Sequence, residues 1–160
     1  FQNRKYLDGL QGVRWSVVEQ AKFYEAGREH IQDERLVFYP TIAECVAVEK
    51  PNVVLLSSVL QYLPDPYAFL DELVESGADL ILIDLTIVNS KKFDRIFIQN
   101  VPKSIYEASY PVRSLSEEKL ISSIERFGYN IIADFKTLNF PQLKKLESQF
   151  KGFIFSKKYE

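Results

Sequence analysis

Glu19 follows a short apolar burst at residues 14–18 (RWSVV). A carboxylate at the carboxyl end of a second strand accepts hydrogen bonds from ribose hydroxyls in nucleotide-binding sheets. It does so about 20 residues after a glycine-rich loop. Taken alone, Glu19 reads equally well as a solvated strand end. Ser57 and Ser58 close a second apolar run, VVLLSS, at residues 53–58. Small hydroxyl residues there let a ligand approach the strand end closely and donate hydrogen bonds to it, although the same pair also suits a capped turn. Gln61 and Tyr62 come next and can reach the same crevice. Asp84, with Thr86 beside it, ends the run LILID at residues 80–84. Its carboxylate fits contact with a ligand or an acceptor proton, or the bracing of a turn.

These residues need strands to hold them, and the apolar pattern supplies strands. Bursts at 14–18, 36–39, 53–57 and 80–85 read as strands, the last so uniformly apolar that both its faces must be covered. Between them lie helical stretches. One ends near residues 4–10, before the breakers Gly9 and Gly12. Another covers 20–26 and stops at Gly27. A third runs from Thr41 through Val48, with Glu44 placed for a capping box. A fourth covers 66–75, with Phe69, Leu70, Leu73 and Val74 at helical spacing. Strand–helix alternation at this spacing predicts a parallel sheet with helices on both faces. Residues 86–115 break the rhythm and read as a long loop, either functional or with minor structure of its own. Ser116 caps a further helix at 117–127, stopped by Gly128. Residues 130–136 and 152–157 read as an antiparallel strand pair at one edge.

Composition narrows the functional classes. A net charge of −2, with lysine pairs such as Lys91–Lys92, Lys144–Lys145 and Lys157–Lys158 isolated along the chain, leaves no basic track for nucleic acid. One cysteine, Cys45 in the apolar helical stretch IAECVAV, excludes a disulfide framework and a multi-cysteine zinc site, and reads as a buried structural thiol. No metal site is expected. No apolar run reaches the ~18 residues of a membrane span, and cytoplasmic location is the default expectation. The one histidine, His30, lies in the polar stretch REHIQDE and reads as a surface residue.

The stretch VVLLSSVLQYLPDPYAFLDEL at 53–73 resembles the fourth strand and following loop of class I S-adenosylmethionine-dependent methyltransferases. There a strand ends in Ser-His or similar, followed by Val-Leu-x-His-Leu and x-Asp-Pro. WSVVEQ at 15–20 resembles the second strand with its ribose-binding acid. LILIDLT, IYEASYP and GFIFSKK resemble a little-characterised bacterial group of this family, so the resemblance covers essentially the whole chain. It implies a Rossmann-like, doubly wound, mostly parallel α/β sheet in the order 3-2-1-4-5-7-6, with a C-terminal antiparallel strand pair. It implies S-adenosylmethionine as cofactor, with Glu19 on the ribose, Gln20, Phe38 and Tyr39 around the adenine, and Ser57 and Ser58 lining the methionine side. Substrate contacts are expected from Tyr62 and Asp84, and from Tyr106, Tyr110 and Arg113 as a lid or wall. Those aromatics can equally pack the segment onto the sheet, and Arg113 can equally pair with Glu117.

Three departures from the family pattern shape the expectations. The first strand and its glycine loop are absent, which predicts an N-terminally truncated single domain over 1–160, with the loop just before Phe1 and the fragment alone inactive. Ser58 and Tyr62 stand where many relatives carry His, so catalysis would rest on proximity and orientation rather than on a histidine base. The sheet should leave a gap, pair the second and fourth strands directly, or borrow a strand from another copy through an exposed edge. A small-molecule or saccharide acceptor is expected, without nucleic acid or membrane. The alternative is a methyltransferase-like domain that binds a ligand or partner without catalysis. A flavodoxin-like or receiver-like domain fits less well, because the final antiparallel pair does not belong to it.

Overall fold

A computed structural model describes residues 8–137, 143 and 146–158. Residues 4–7 of the first expected helix and the Lys144–Lys145 pair lie outside them. The chain divides into two compact units, Phe1–Lys50 and Pro51–Glu160.

In the first unit β1 (Trp15–Val18) pairs in parallel with β2 (Leu36–Tyr39), in register from Trp15↔Leu36 to Val18↔Tyr39. Each strand is followed by a helix, α1 (Ala21–His30) and α2 (Ile42–Glu49). Helix α1 does not stop at Gly27 as expected but runs through it. The glycine is there for packing: a Cβ at Gly27 would fall 2.3 Å from Cε1 of Phe38. Helix α2 starts as expected. Thr41 Oγ1 accepts from the Glu44 amide at 3.1 Å and donates to Glu44 Oε1 at 3.1 Å.

The second unit comprises β3 (Val53–Ser57), a 3-10 turn (Leu60–Tyr62), α3 (Pro66–Val74) and β4 (Leu80–Asn89). After these come β5 (Arg95–Val101), β6 (Ala108–Ser116), α4 (Glu117–Glu125), β7 (Tyr129–Lys136) and β8 (Ser148–Lys157). Strand β4 is central: β3 lies parallel on one side, and β8 lies antiparallel on the other, with β7 antiparallel beyond it. This β3-β4-β8-β7 order reproduces the expected 4-5-7-6, including the reversed seventh strand. Among the described residues β1 pairs only with β2, and β3 only with β4.

The long loop expected at 86–115 is instead largely strand. Strand β4 passes through a bulge between Ile83 and Thr86 and continues to Asn89, where it pairs in parallel with Leu115 and Ser116 of β6. Strands β5 and β6 form an antiparallel hairpin from Arg95↔Ser114 to Val101↔Ala108. Pro111 sits within β6, but β6 meets β4 only at its last two residues, so a missing N–H is tolerated there.

The core of this unit joins Leu56, Ile81 and Ile83 of the parallel pair to Leu70 of α3, Leu120 of α4 and Phe153 of β8. Full burial of each such side chain contributes about 1.5–3 kcal/mol.

Candidate functional site

In the second unit Ser57 ends β3, whereas Asp84, expected at a strand end, lies inside β4 at its bulge. Ser57 lies opposite Asp84 in the β3–β4 register. The next residue on each strand, Ser58 and Leu85, has left-handed backbone, with φ of 58° and 52°. That conformation is uncommon outside glycine and is found at strained or functional turns. Backbone and side-chain bonds hold both turns. Ser58 N donates to Asp84 O at 3.0 Å. Leu85 N donates to Asp84 Oδ1 at 2.7 Å, and Thr137 Oγ1 reaches the same oxygen at 3.4 Å. The Asp84 carboxylate therefore braces the bulge, the turn role that the sequence had left open.

Gln61 ties the two turns together. It is 1% exposed, and its Nε2 donates at 3.0 Å both to Ser58 Oγ and to Leu85 O. Because a carbonyl only accepts, the nitrogen must face Leu85, which leaves Oε1 buried without a partner among the described residues. The sequence brought Gln61 to the crevice but gave no sign of this bridge, whose far end is 24 positions away.

Tyr62, one position on, turns toward the β5–β6 hairpin. Its ring meets that of Tyr110 edge-on, with centroids 5.8 Å apart at 73°. Gln99 stands opposite Tyr110 across the hairpin. Tyr62 Oη makes a long contact to Gln99 Oε1 at 3.4 Å, and Gln99 Nε2 donates to Tyr110 Oη at 3.2 Å. A hydrogen bond to Tyr106 pushes the Tyr110 hydroxyl up to about 12. Tyr62, Tyr110 and Pro111 line a cleft of about 320 Å3.

Arg113 does not join this group. Its Nη2 donates to Pro64 O at 2.9 Å, and its Nη1 lies 3.6 Å from Asp94 Oδ2. Asp94 Oδ1 in turn accepts from Tyr67 Oη and Ser116 N, each at 2.8 Å. Burial, and then Asp94, push the Tyr67 hydroxyl up. Glu117, the expected alternative partner of Arg113, pairs instead with Lys151 Nζ at 2.6 Å.

In the first unit Glu19 is exposed, and its Oε2 accepts from the Gln20 amide at 3.2 Å. The backbone N–H of Glu19 donates to Tyr39 O at 3.2 Å. Gln20 stands at the N-cap of α1 without a side-chain capping bond. Phe38 packs its ring against Gly27, and Tyr39 donates its hydroxyl to Glu49. Arg14 Nε also reaches Glu49, at 3.0 Å. The Glu49 bond pushes the Tyr39 hydroxyl up to about 12, and the Tyr39 and Arg14 contacts hold Glu49 below its ordinary value. Burial pushes the Cys45 thiol up, which makes it inert as a nucleophile. His30 is exposed at the end of α1. A cleft of about 310 Å3 between residues 8–13 and Glu34–Arg35 opens at the amino ends of β1 and β2. Ligands of open α/β sheets bind at the other, carboxyl ends.

Among the described residues no cluster of His, Cys, Asp and Glu is placed to hold a metal ion. Nor is any helix among them long and apolar enough to cross a membrane.

No family model and no curated protein sequence matches the chain. Solved structures do match it. The glycopeptide N-methyltransferase MtfA complexed with sinefungin is 11% identical, with a TM-score of 0.62 over 89% of this chain and 76% of that one. The 1,6-didemethyltoxoflavin-N1-methyltransferase of Burkholderia thailandensis, with 1,6-didemethyltoxoflavin and S-adenosylhomocysteine bound, is 15% identical, with a TM-score of 0.55 over 98% of this chain and 66% of that one. The [4+2]-cyclase SpnF is 11% identical, with a TM-score of 0.60 over 99% of this chain and 71% of that one. The chain has the α/β fold of S-adenosylmethionine-dependent methyltransferases, a fold that also carries cyclase chemistry.

Proposed function

We propose that this domain is an S-adenosylmethionine-dependent methyltransferase acting on a small-molecule acceptor. The observation that carries the reading is the pair of left-handed residues Ser58, just past the carboxyl end of β3, and Leu85, in the bulge of β4 beside it, both held by Gln61. Open α/β sheets bind ligands at that end, and strain held by surrounding contacts collects at functional sites. When bound, the cofactor supplies an activated methyl group on a sulfonium.

The chain's own residues bind and orient. Glu19 would accept hydrogen bonds from the ribose hydroxyls, Gln20, Phe38 and Tyr39 would stand on the adenine side, and Ser57 and Ser58 would line the methionine side. Tyr62 and Tyr110 face the acceptor. With Asp84 engaged in the bulge and no histidine in the Ser57–Tyr62 turn, these residues would contribute by binding and orienting the acceptor rather than by moving a proton. The same lack of a general base favours a second reading, a domain that binds the cofactor without transferring its methyl group.

Titration calorimetry with S-adenosylmethionine and S-adenosylhomocysteine tests both readings, on the chain with whatever native sequence adjoins it. Micromolar binding is expected, weakened by roughly 2 kcal/mol in Glu19→Ala through loss of charge-assisted hydrogen bonds. Absence of binding to either ligand overturns both readings. Binding without S-adenosylhomocysteine formation, across a panel of hydroxylated and amine acceptors, selects the second.

A further inference from the structure

The Tyr62–Tyr110 corner has the features of a ring-binding site. Two phenol rings meet at 73°, so one ring face and one edge are presented together at the cleft. Their hydroxyls are tied by Gln99. Within this ladder the Tyr62 hydroxyl donates to Gln99 and the Gln99 amide donates to Tyr110. The capacity left over includes phenol lone pairs, which accept from a ligand's O–H groups, and the Tyr110 O–H, which donates.

None of the cleft's lining residues is charged. The nearby charges are engaged elsewhere. Arg113 binds Pro64 O and Asp94, and Lys103 pairs with Glu107 at 3.2 Å. Arg95 donates to Leu146 O at 2.6 Å and lies 3.6 Å from Glu147. A charged ligand would lose hydration here and gain no counter-ion. Tyr110, with its hydroxyl pushed up to about 12, stays neutral at physiological pH. The cleft also adjoins the strand ends, because Tyr62 directly follows Gln61.

We propose that Tyr62, Gln99 and Tyr110 form the acceptor subsite of this domain, and that it takes an uncharged ring bearing hydroxyl groups. A sugar and a phenol share that chemistry. That the ring is a methyl acceptor rests on the methyltransferase reading above; that a ring binds does not.

The test is a titration of the tyrosine-labelled full-length protein followed by NMR, without S-adenosylmethionine. The probes are methyl glucoside and catechol, each against its carboxylate counterpart, glucuronate and protocatechuate. One neutral ring is expected to shift the Tyr62 and Tyr110 resonances saturably, and to bind about tenfold more tightly than its charged counterpart. Which neutral ring binds identifies the source. Tyr62→Ala is expected to weaken it about tenfold by removing the stacking face, whereas Tyr62→Phe, which keeps the ring, weakens it by about threefold or less. The proposal is overturned if neither neutral ring binds, if the carboxylates bind as well, or if both Tyr62 variants, folded by their amide spectra, bind like the parent. Ring binding with no S-adenosylhomocysteine formed on adding cofactor leaves the subsite standing and removes the methyltransferase reading. Cofactor binding with no ring bound does the reverse.

Discussion

Asp65 accepts hydrogen bonds from the amides of Tyr67 and Ala68 at 3.2 and 3.1 Å, and Pro66 occupies the first turn of α3. Pro64 supplies the carbonyl that holds Arg113. The Pro-Asp-Pro signature at 64–66 is therefore an architectural device: it starts α3 and anchors β6. Capping of this kind is local, decided within three residues. Gln61 is the opposite case. Its role depends on Leu85, a neighbour only after β3 and β4 have paired, so no spacing rule exposes it. Replacing it separates donor from shape. Gln61→Leu removes two hydrogen bonds along with the buried unpaired Oε1, and should cost about 1–2 kcal/mol. Gln61→Glu places an oxygen against Leu85 O and should cost about 3 kcal/mol or more at neutral pH. The protonated acid again offers a donor, so its folded-state pKa lies above the unfolded value of about 4.3. The donor's stabilisation is then fully present below that value and is lost as pH rises through the folded pKa. Urea melts of both variants from acid to neutral pH check this. A Gln61→Glu protein as stable as the parent at neutral pH would show that Gln61 is not the pin.

Most elements were legible from period and punctuation, and the two misplaced ones share a cause. The β5–β6 hairpin alternates cleanly, RIFIQNV against ASYPVRS, but Pro111 and the tyrosines mask the pattern. Only the partner geometry shows that one side of Pro111 needs no donor. Gly27 misled in the other direction, because a glycine near the end of a helical stretch reads as a stop. Helix α1 continues because Phe38 of β2 needs the room a missing side chain leaves. This sets up an opposition that can be measured. Helix propensity alone predicts that Gly27→Ala stabilises by roughly 0.5–1 kcal/mol. The added methyl would sit 2.3 Å from the Phe38 ring, which must swing out and lose its packing. Overpacking of that kind costs about 1–3 kcal/mol, so the net effect is expected to be destabilising. In a Phe38→Ala background the same substitution should stabilise. A double-mutant cycle by chemical denaturation reads the change of sign; a stabilising Gly27→Ala in the parent would mean that Phe38 does not pack there.

At the scale of the molecule the two units differ in how they are held. Among the described residues of the first unit only Gly27 and Cys45 are buried, beside a two-stranded sheet and two short helices. Among the described residues every other buried hydrophobic side chain belongs to the second unit, including Leu60, Ile81, Leu115 and Phe153 with no exposed surface. Sheets of two strands are marginal in water, and small units bury too little apolar surface to offset chain entropy. The Arg14–Glu49–Tyr39 contacts add little, because Arg14 is half exposed and its pairing is screened. Composition could not reveal this asymmetry, since apolar residues occur in both halves and only the fold decides which of them meet. The expectation is that amides of β1, β2, α1 and α2 exchange with opening free energies below about 2 kcal/mol, whereas those of β4 and β8 exchange only at the global limit. Trp15, the sole tryptophan, lies in β1 and gives an independent probe of the first unit. Its emission should change at lower urea than the far-UV dichroism, to which the larger second unit contributes most. Superimposable transitions and uniform protection would mean that the chain unfolds as a single cooperative body.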